Sequence, residues 1–252
     1  MKRVQVSVFL MLSLHVMSMY AAQELPQNLQ QNRQTMIDDA VKNYPCLTHG
    51  FDWTQLYSEH SRDNLKKAYK LIDEGVDVNV KNEYNNTPLH NAIWCNNKEM
   101  VSKLLVVGAD VNIQNGKSET PLHCAARYSI TEIVKMLLDL NADINIQDQR
   151  GRTPLHRGVW SNNTEIVKIL IAAGADVNIQ YQDKFGKNPL HYAVWRNNTE
   201  IVKMLIAAGA DLNIQNKFGK TAEQEATTQE MRAIFAQAVQ ERQAKFNVQS
   251  MA

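Results

Sequence analysis

The chain has three cysteines in 252 residues, Cys46, Cys95 and Cys124. Cys95 and Cys124 fall at different points of the repeat described below. They sit on helices expected to pack about 8–10 Å apart, whereas a disulfide needs Cα atoms within about 7 Å. No disulfide framework is expected. The charges nearly cancel, with a formal net charge of +1, so no bulk field draws the chain to nucleic acid or to anionic lipid. There is no GxSxG, no P-loop, no GxGxxG and no HExxH, so the common signatures of nucleophile, phosphate, dinucleotide and zinc-protease chemistry are missing. The apolar run Val4–Met19 is broken by Ser7, Ser13, His15 and Ser18. It is short for a membrane span, which takes about 20 residues.

What the chain does have is repetition. TPLH stands at Thr87, Thr120 and Thr153 and NPLH at Asn188, in steps of 33, 33 and 35. A second tag, GADVN or a close variant, starts at Gly75, Gly108, Asn141, Gly174 and Gly209, in steps of 33, 33, 33 and 35. Both tags slip by two residues at one place, near Tyr181 and Gln182. A unit of this size cannot bury its own apolar face, so the period alone implies a solenoid of stacked units. The 44% apolar content is enough for a continuous core.

A 33-residue period carrying T-P-L-H-x-A resembles the ankyrin-repeat family, over roughly residues 46–246. The resemblance implies an all-α solenoid whose units each pair two antiparallel helices with a β-hairpin tip. It also implies that the array binds proteins, while the lack of any non-repeated constellation of polar residues argues against catalytic activity, and no cofactor is expected. Residues 1–22 read as an export signal, with Lys2 and Arg3 before the apolar stretch and Ala21-Ala22 before Gln23. The protein is therefore expected to be exported or secreted, the alternative being cytoplasmic. Residues 23–45 read as a polar linker and short helix, stopped by Pro45. The degraded unit 46–78 reads as the N-terminal cap, four regular units occupy about 80–212, and 213–246 close the array. Residues 247–252 are expected to fray.

Within a unit, Pro154 suits a first helical turn and Thr153 caps it. Leu155 and Val159 are expected inside. Asn162, with Asn96 and Asn197, takes the left-handed helix end that favours glycine, and Ser129 is the weaker substitute. Ile166, Val167, Ile169 and Leu170 form the buried stripe of the second helix. Alternation in Ala175, Val177 and Ile179 predicts a strand-like entry to the tip. In the last unit Met231, Ile234, Phe235, Ala238 and Val239 form the closing stripe.

The polar repeats read as structural. His90, His123, His156 and His191 share one register, so they are spaced at helix-packing distance and cannot converge on one metal. The resemblance gives them a hydrogen bond to their threonine and turn. Asp110, Asp143, Asp176 and Asp211 likewise recur once per unit and brace the turn, whereas catalysis needs different residues converging. The sequons at Asn85, Asn162 and Asn197 fall on cap and turn positions. Cys46 and His49 have no third partner.

The variable positions carry the functional reading. After each TPLHxA core come Trp94/Cys95, Arg127/Tyr128, Trp160/Ser161 and Trp195/Arg196. The resemblance places them on the concave face of the inner helices. Trp and Arg dominate interface energetics, so Trp94, Arg127, Tyr128, Trp160, Trp195 and Arg196 are candidate contacts. The opposing reading is that each ring only packs on its neighbour. The tips add Tyr84, Arg150, Phe185 and Phe218 in one register with Lys117, and Asn86, Glu119, Arg152, Lys187 and Lys220 in another. Basic and aromatic tips suit a protein partner with an acidic surface, and no small-molecule substrate is implied. The alternative function is a structural array that stacks on itself.

Overall fold

In the computed structural model, residues 68–249 are described, except Leu71, Glu74, Val76, Glu83 and 182–184. The chain divides into two units, 1–45 and 46–252, and the described residues all belong to the second. The leader, the linker, Cys46, His49 and most of the N-terminal cap lie outside them.

The described residues form four helix pairs and a closing element. The pairs are α1 (Pro88–Trp94) with α2 (Lys98–Val106), α3 (Pro121–Arg127) with α4 (Thr131–Asp139), α5 (Pro154–Trp160) with α6 (Thr164–Ala172), and α7 (Pro189–Trp195) with α8 (Thr199–Ala207). A short 3-10 turn, Glu223–Glu225, and α9 (Gln229–Gln249) follow. Helical residues at 68–70 and 72–73 precede them, with Ala68 buried.

One unit explains the rest. Thr153 is extended, and its side chain accepts the His156 amide, while Pro154 opens the helix without a missing donor. The Thr153 amide in turn donates to His156 Nδ1 at 3.2 Å. This is a capping box with histidine where glutamate is usual. Leu155 and Val159 are fully buried. The helix ends at Asn162, with φ of 57°, and Asn96, Ser129 and Asn197 end theirs in the same left-handed conformation. Asn162 and Asn197 are sequon positions, and the third, Asn85, has a φ of 56° in its tip, so a backbone role accounts for all three. Ile166, Val167 and Leu170 are fully buried and Ile169 partly so, while Glu165 and Lys168 face water.

The units are joined by two ladders. Each aspartate of the second tag accepts the amide two residues on, as Asp143 does from Asn145 at 3.0 Å and Asp176 from Asn178 at 2.8 Å. The amides of Asp110, Asp143, Asp176 and Asp211 donate to Asn79, Asn112, Asn145 and Asn178 of the preceding unit. The histidines form the second ladder. A threonine amide on Nδ1 puts the ring hydrogen on Nε2, which donates to the next tip, from His90 to the Glu119 carbonyl at 2.9 Å and from His123 to the Arg152 carbonyl at 2.8 Å. The repeated histidines and aspartates are thus the mortar of the stack.

Three expectations need correction. The Val177 segment is a turn, because the Asp176 carboxylate captures the local amide. Among the described residues the one strand-type bridge pairs Gln215 with Thr221. In the closing element, Met231, Phe235 and Ala238 are buried, but Val239 is exposed. Helix α9 also continues through 247–249, three residues into the segment expected to fray.

Gly158 stands in mid-helix where the other three units have Ala92, Ala125 and Ala193. A Cβ there would meet Ile166 Cγ2 at 3.2 Å and otherwise ordinary contacts. The matching isoleucines Ile133 and Ile201 already accommodate alanine. Gly158→Ala is therefore expected to raise stability by up to about 1 kcal/mol through helix propensity, read as a higher midpoint in urea.

Candidate partner-binding face

The last residue of each first helix is exposed. Trp94, Trp160 and Trp195 are 46%, 47% and 57% exposed. The rings are not sealed in the stack, yet they are not isolated. Trp160 and Trp195 stack at 5.5 Å between centroids and 14° between planes. The Arg196 guanidinium lies 5.1 Å from the Trp160 ring and 5.3 Å from the Trp195 ring, and also donates to the Trp160 carbonyl. Trp94 stacks instead on Tyr128, at 6.4 Å and 19°, with Arg127 over the tyrosine. The row of tryptophans thus divides into two clusters, because α3 ends in arginine where the others end in tryptophan.

The tips share a register, as their spacing implies. The amides of Tyr84, Lys117, Arg150 and Phe218 each donate to an Asx side chain two residues earlier, at Asn82, Asn115, Asp148 and Asn216. This Asx turn fixes where the tip side chains sit. Tyr84 joins Trp94 and Tyr128 around one cleft of about 610 Å³. Phe185 and Arg150 join Trp160 and Trp195 around another of about 690 Å³. Phe218 packs on Phe185 at 6.1 Å and lies outside both linings. The tryptophans and tips therefore act together, two clefts each closed by a tip and a helix end.

Sequence reasoning missed three features. Arg157, at the x of TPLHxA, is buried and pairs with Glu119 and with Asp148 at 3.0 Å. Arg152 pairs with Asp148 at 2.7 Å, and Arg127 lies 3.6 Å from Glu119. Burial works against the Asp148 carboxylate, but the Arg152 and Arg150 amides and the Arg152 guanidinium hold its pKa below the usual range. Burial pulls the Arg157 pKa down, against the pull of Glu119. Second, Tyr192 meets Trp160 edge-on at 5.6 Å.

The third concerns the two-residue insertion. The Tyr181 amide closes the longer tip onto the Lys187 carbonyl at 2.7 Å, so Tyr181 occupies the Asx position of the other tips. Its buried ring packs against Tyr192 at 6.0 Å and under Arg152. The enlarged tip also leaves His156 Nε2 without a hydrogen-bond partner, unlike its three counterparts. Among the described residues no group of His, Cys, Asp and Glu has metal-binding geometry. None of their helices is long and apolar enough to cross a membrane.

The sequence matches the family model described as ankyrin repeats (3 copies), in overlapping segments 18–115, 59–148, 96–181, 140–216 and 177–249. A search of curated proteins finds no match.

Proposed function

Because the chain belongs to the ankyrin-repeat family, whose arrays serve generally as protein-interaction modules, we propose that it is a non-enzymatic scaffold. It binds a partner protein through the helix-end face of Trp94, Trp160 and Trp195 and the adjoining tips. The observation that carries this is the half-exposure of all three indoles beside clefts. A ring that served only to pack would lose more of its surface to its neighbours. Arg127, Tyr128, Tyr84, Arg150 and Phe185 line the same openings, while Arg196 packs on Trp160 and Trp195 and Phe218 on Phe185 from outside the linings. Stacked, cation-braced rings are held in place before binding, so little side-chain entropy is lost on contact.

Replacing Trp94, Trp160 and Trp195 with alanine together tests this. Their exposure means the fold should survive, giving an unchanged circular dichroism spectrum. Each ring that anchors a partner is worth about 2 kcal/mol or more, so affinity capture with mass spectrometry should lose the proteins retained by the wild-type chain. Retention of the same set by the triple variant refutes the reading.

A further inference from the structure

The cleft beside Trp160 continues into a smaller hollow of about 300 Å³ lined by Lys117, Arg127, Gln149, Arg150, Arg152 and Arg157, with Glu119 the one carboxylate in its lining. The large cleft shares Gln149, Arg150, Arg152 and Arg157 with it. One continuous depression therefore has an aromatic end, walled by Trp160, Tyr192 and Trp195, and a cationic end. Resting on the protein-binding role above, we infer that this depression takes an extended acidic segment of the partner. An aromatic or large aliphatic side chain of the segment sits at the aromatic end and its carboxylates at the cationic end.

Two observations support this occupant. The first is charge. Among the described residues, Lys117, Arg127, Arg152 and Arg157 face Glu119 and the buried Asp148, so even without Arg150 cations outnumber carboxylates around the hollow. A basic or neutral segment would leave that excess uncompensated, whereas carboxylates draw charge-assisted hydrogen bonds from it. The second is hydrogen bonding. His156 and Arg157 border the large cleft, and just beneath its surface His156 Nε2 and Arg157 Nε are buried without a hydrogen-bond partner. The Thr153 amide occupies His156 Nδ1, so Nε2 carries the hydrogen. Both orphaned groups are donors, and only an acceptor completes them.

The two ends belong to neighbouring units, which stack about 8–10 Å apart. An extended chain advances about 3.3 Å per residue. The acidic residues should therefore stand about three positions from the apolar anchor.

The test uses the full chain, immobilised, and a random dodecapeptide display library selected at about 0.1 M salt, where the screening length is about 10 Å. Enriched peptides are re-measured against Lys117→Glu/Arg150→Glu and against Trp160→Ala/Trp195→Ala. All four positions are exposed or solvent-facing, and an unchanged thermal melt confirms that each variant is folded. The expected result is enrichment of acidic peptides with an apolar anchor at that spacing. Their affinity should fall about ten-fold or more in each variant. Enrichment of basic or uncharged peptides, no enrichment, or acidic peptides indifferent to the charge reversal overturns the inference. If the tryptophan variant still abolishes binding in such a case, the wider reading of the face stands and the acidic occupant alone falls. Peptides indifferent to both variants count against both.

Discussion

Asp148→Ala should lower the stability of the array by about 3–5 kcal/mol, the cost typical of leaving a buried charge without its partner. The Asp148 side chain is fully buried and accepts from four donors, the Arg150 and Arg152 amides, Arg152 Nε and the Arg157 guanidinium. Removing it dissolves the Asx turn of the third tip and strands Arg157 on Glu119 alone. Asp148→Asn separates the two losses. Asn82, Asn115 and Asn216 make the same turn with an amide oxygen, so the backbone bonds should persist while the charge disappears, and the cost should be intermediate. In an Arg157→Met background the penalty of Asp148→Asn should shrink to below about 1 kcal/mol, because no buried cation then needs that carboxylate. A double-mutant cycle in urea checks this. An Asp148→Asn penalty that is the same with and without Arg157 rules out the ion pair as its source.

This cluster shows where the sequence was readable and where it was misread. The repeat frame was legible because each structural residue recurs. Thr153, Pro154, His156, Asn162 and Asp176 all occupy the places their register implies, since a stack of equal units poses the same backbone problem each time. The exceptions were harder. In the tip register that holds Asn86, Arg152, Lys187 and Lys220, Glu119 is the one acid. In the Asx register of Asn82, Asn115 and Asn216, Asp148 is the one acid. At the x of TPLHxA, where Asn91, Cys124 and Tyr192 stand, Arg157 is the one cation. Three singular charges of complementary sign, within one unit of each other, signalled a buried network, but the register reading put Glu119 among the tip residues and assigned no role to Asp148 or Arg157. That the tryptophans share one place in the unit followed from register, whereas their position on an open face was implied only by the family resemblance, with packing as the opposing reading. Their division into two clusters did not, because it depends on Tyr128 reaching back to Trp94 from one position further along. The effect of the insertion was also hidden, since spacing marks where residues are added and not which hydrogen bond is lost.

The histidine ladder makes the second large prediction, a steep loss of stability in mild acid. Burial holds the pKa of His90 and His123 down at about 4 and that of His156 at about 3, against an ordinary value of 6.5. His191 is lowered too, again chiefly by burial. Above about pH 7.5 these rings are almost wholly neutral whether the chain is folded or not, and they give stability little pH dependence. Below it, the unfolded chain takes up protons that the folded chain refuses until about pH 4. Unfolding is then coupled to proton binding, and stability falls as pH falls. Near pH 5 the three rings with the lowest values together bind close to three protons on unfolding, a slope of about 4 kcal/mol per pH unit. Asp148, whose pKa is also held low when folded, adds to the loss at lower pH still. Equilibrium urea unfolding from about pH 8.5 to about pH 4.5 should show a flat region ending near pH 7.5, about half the full slope at pH 6.5 and the steepest fall near pH 5. His156→Gln is the sharpest control, since Nε2 of that ring has no hydrogen bond to lose. It should leave the flat region nearly in place and reduce the slope at pH 5 by about one proton, or about 1.4 kcal/mol per pH unit. A slope unchanged by that substitution would mean that the acid sensitivity arises outside the ladder.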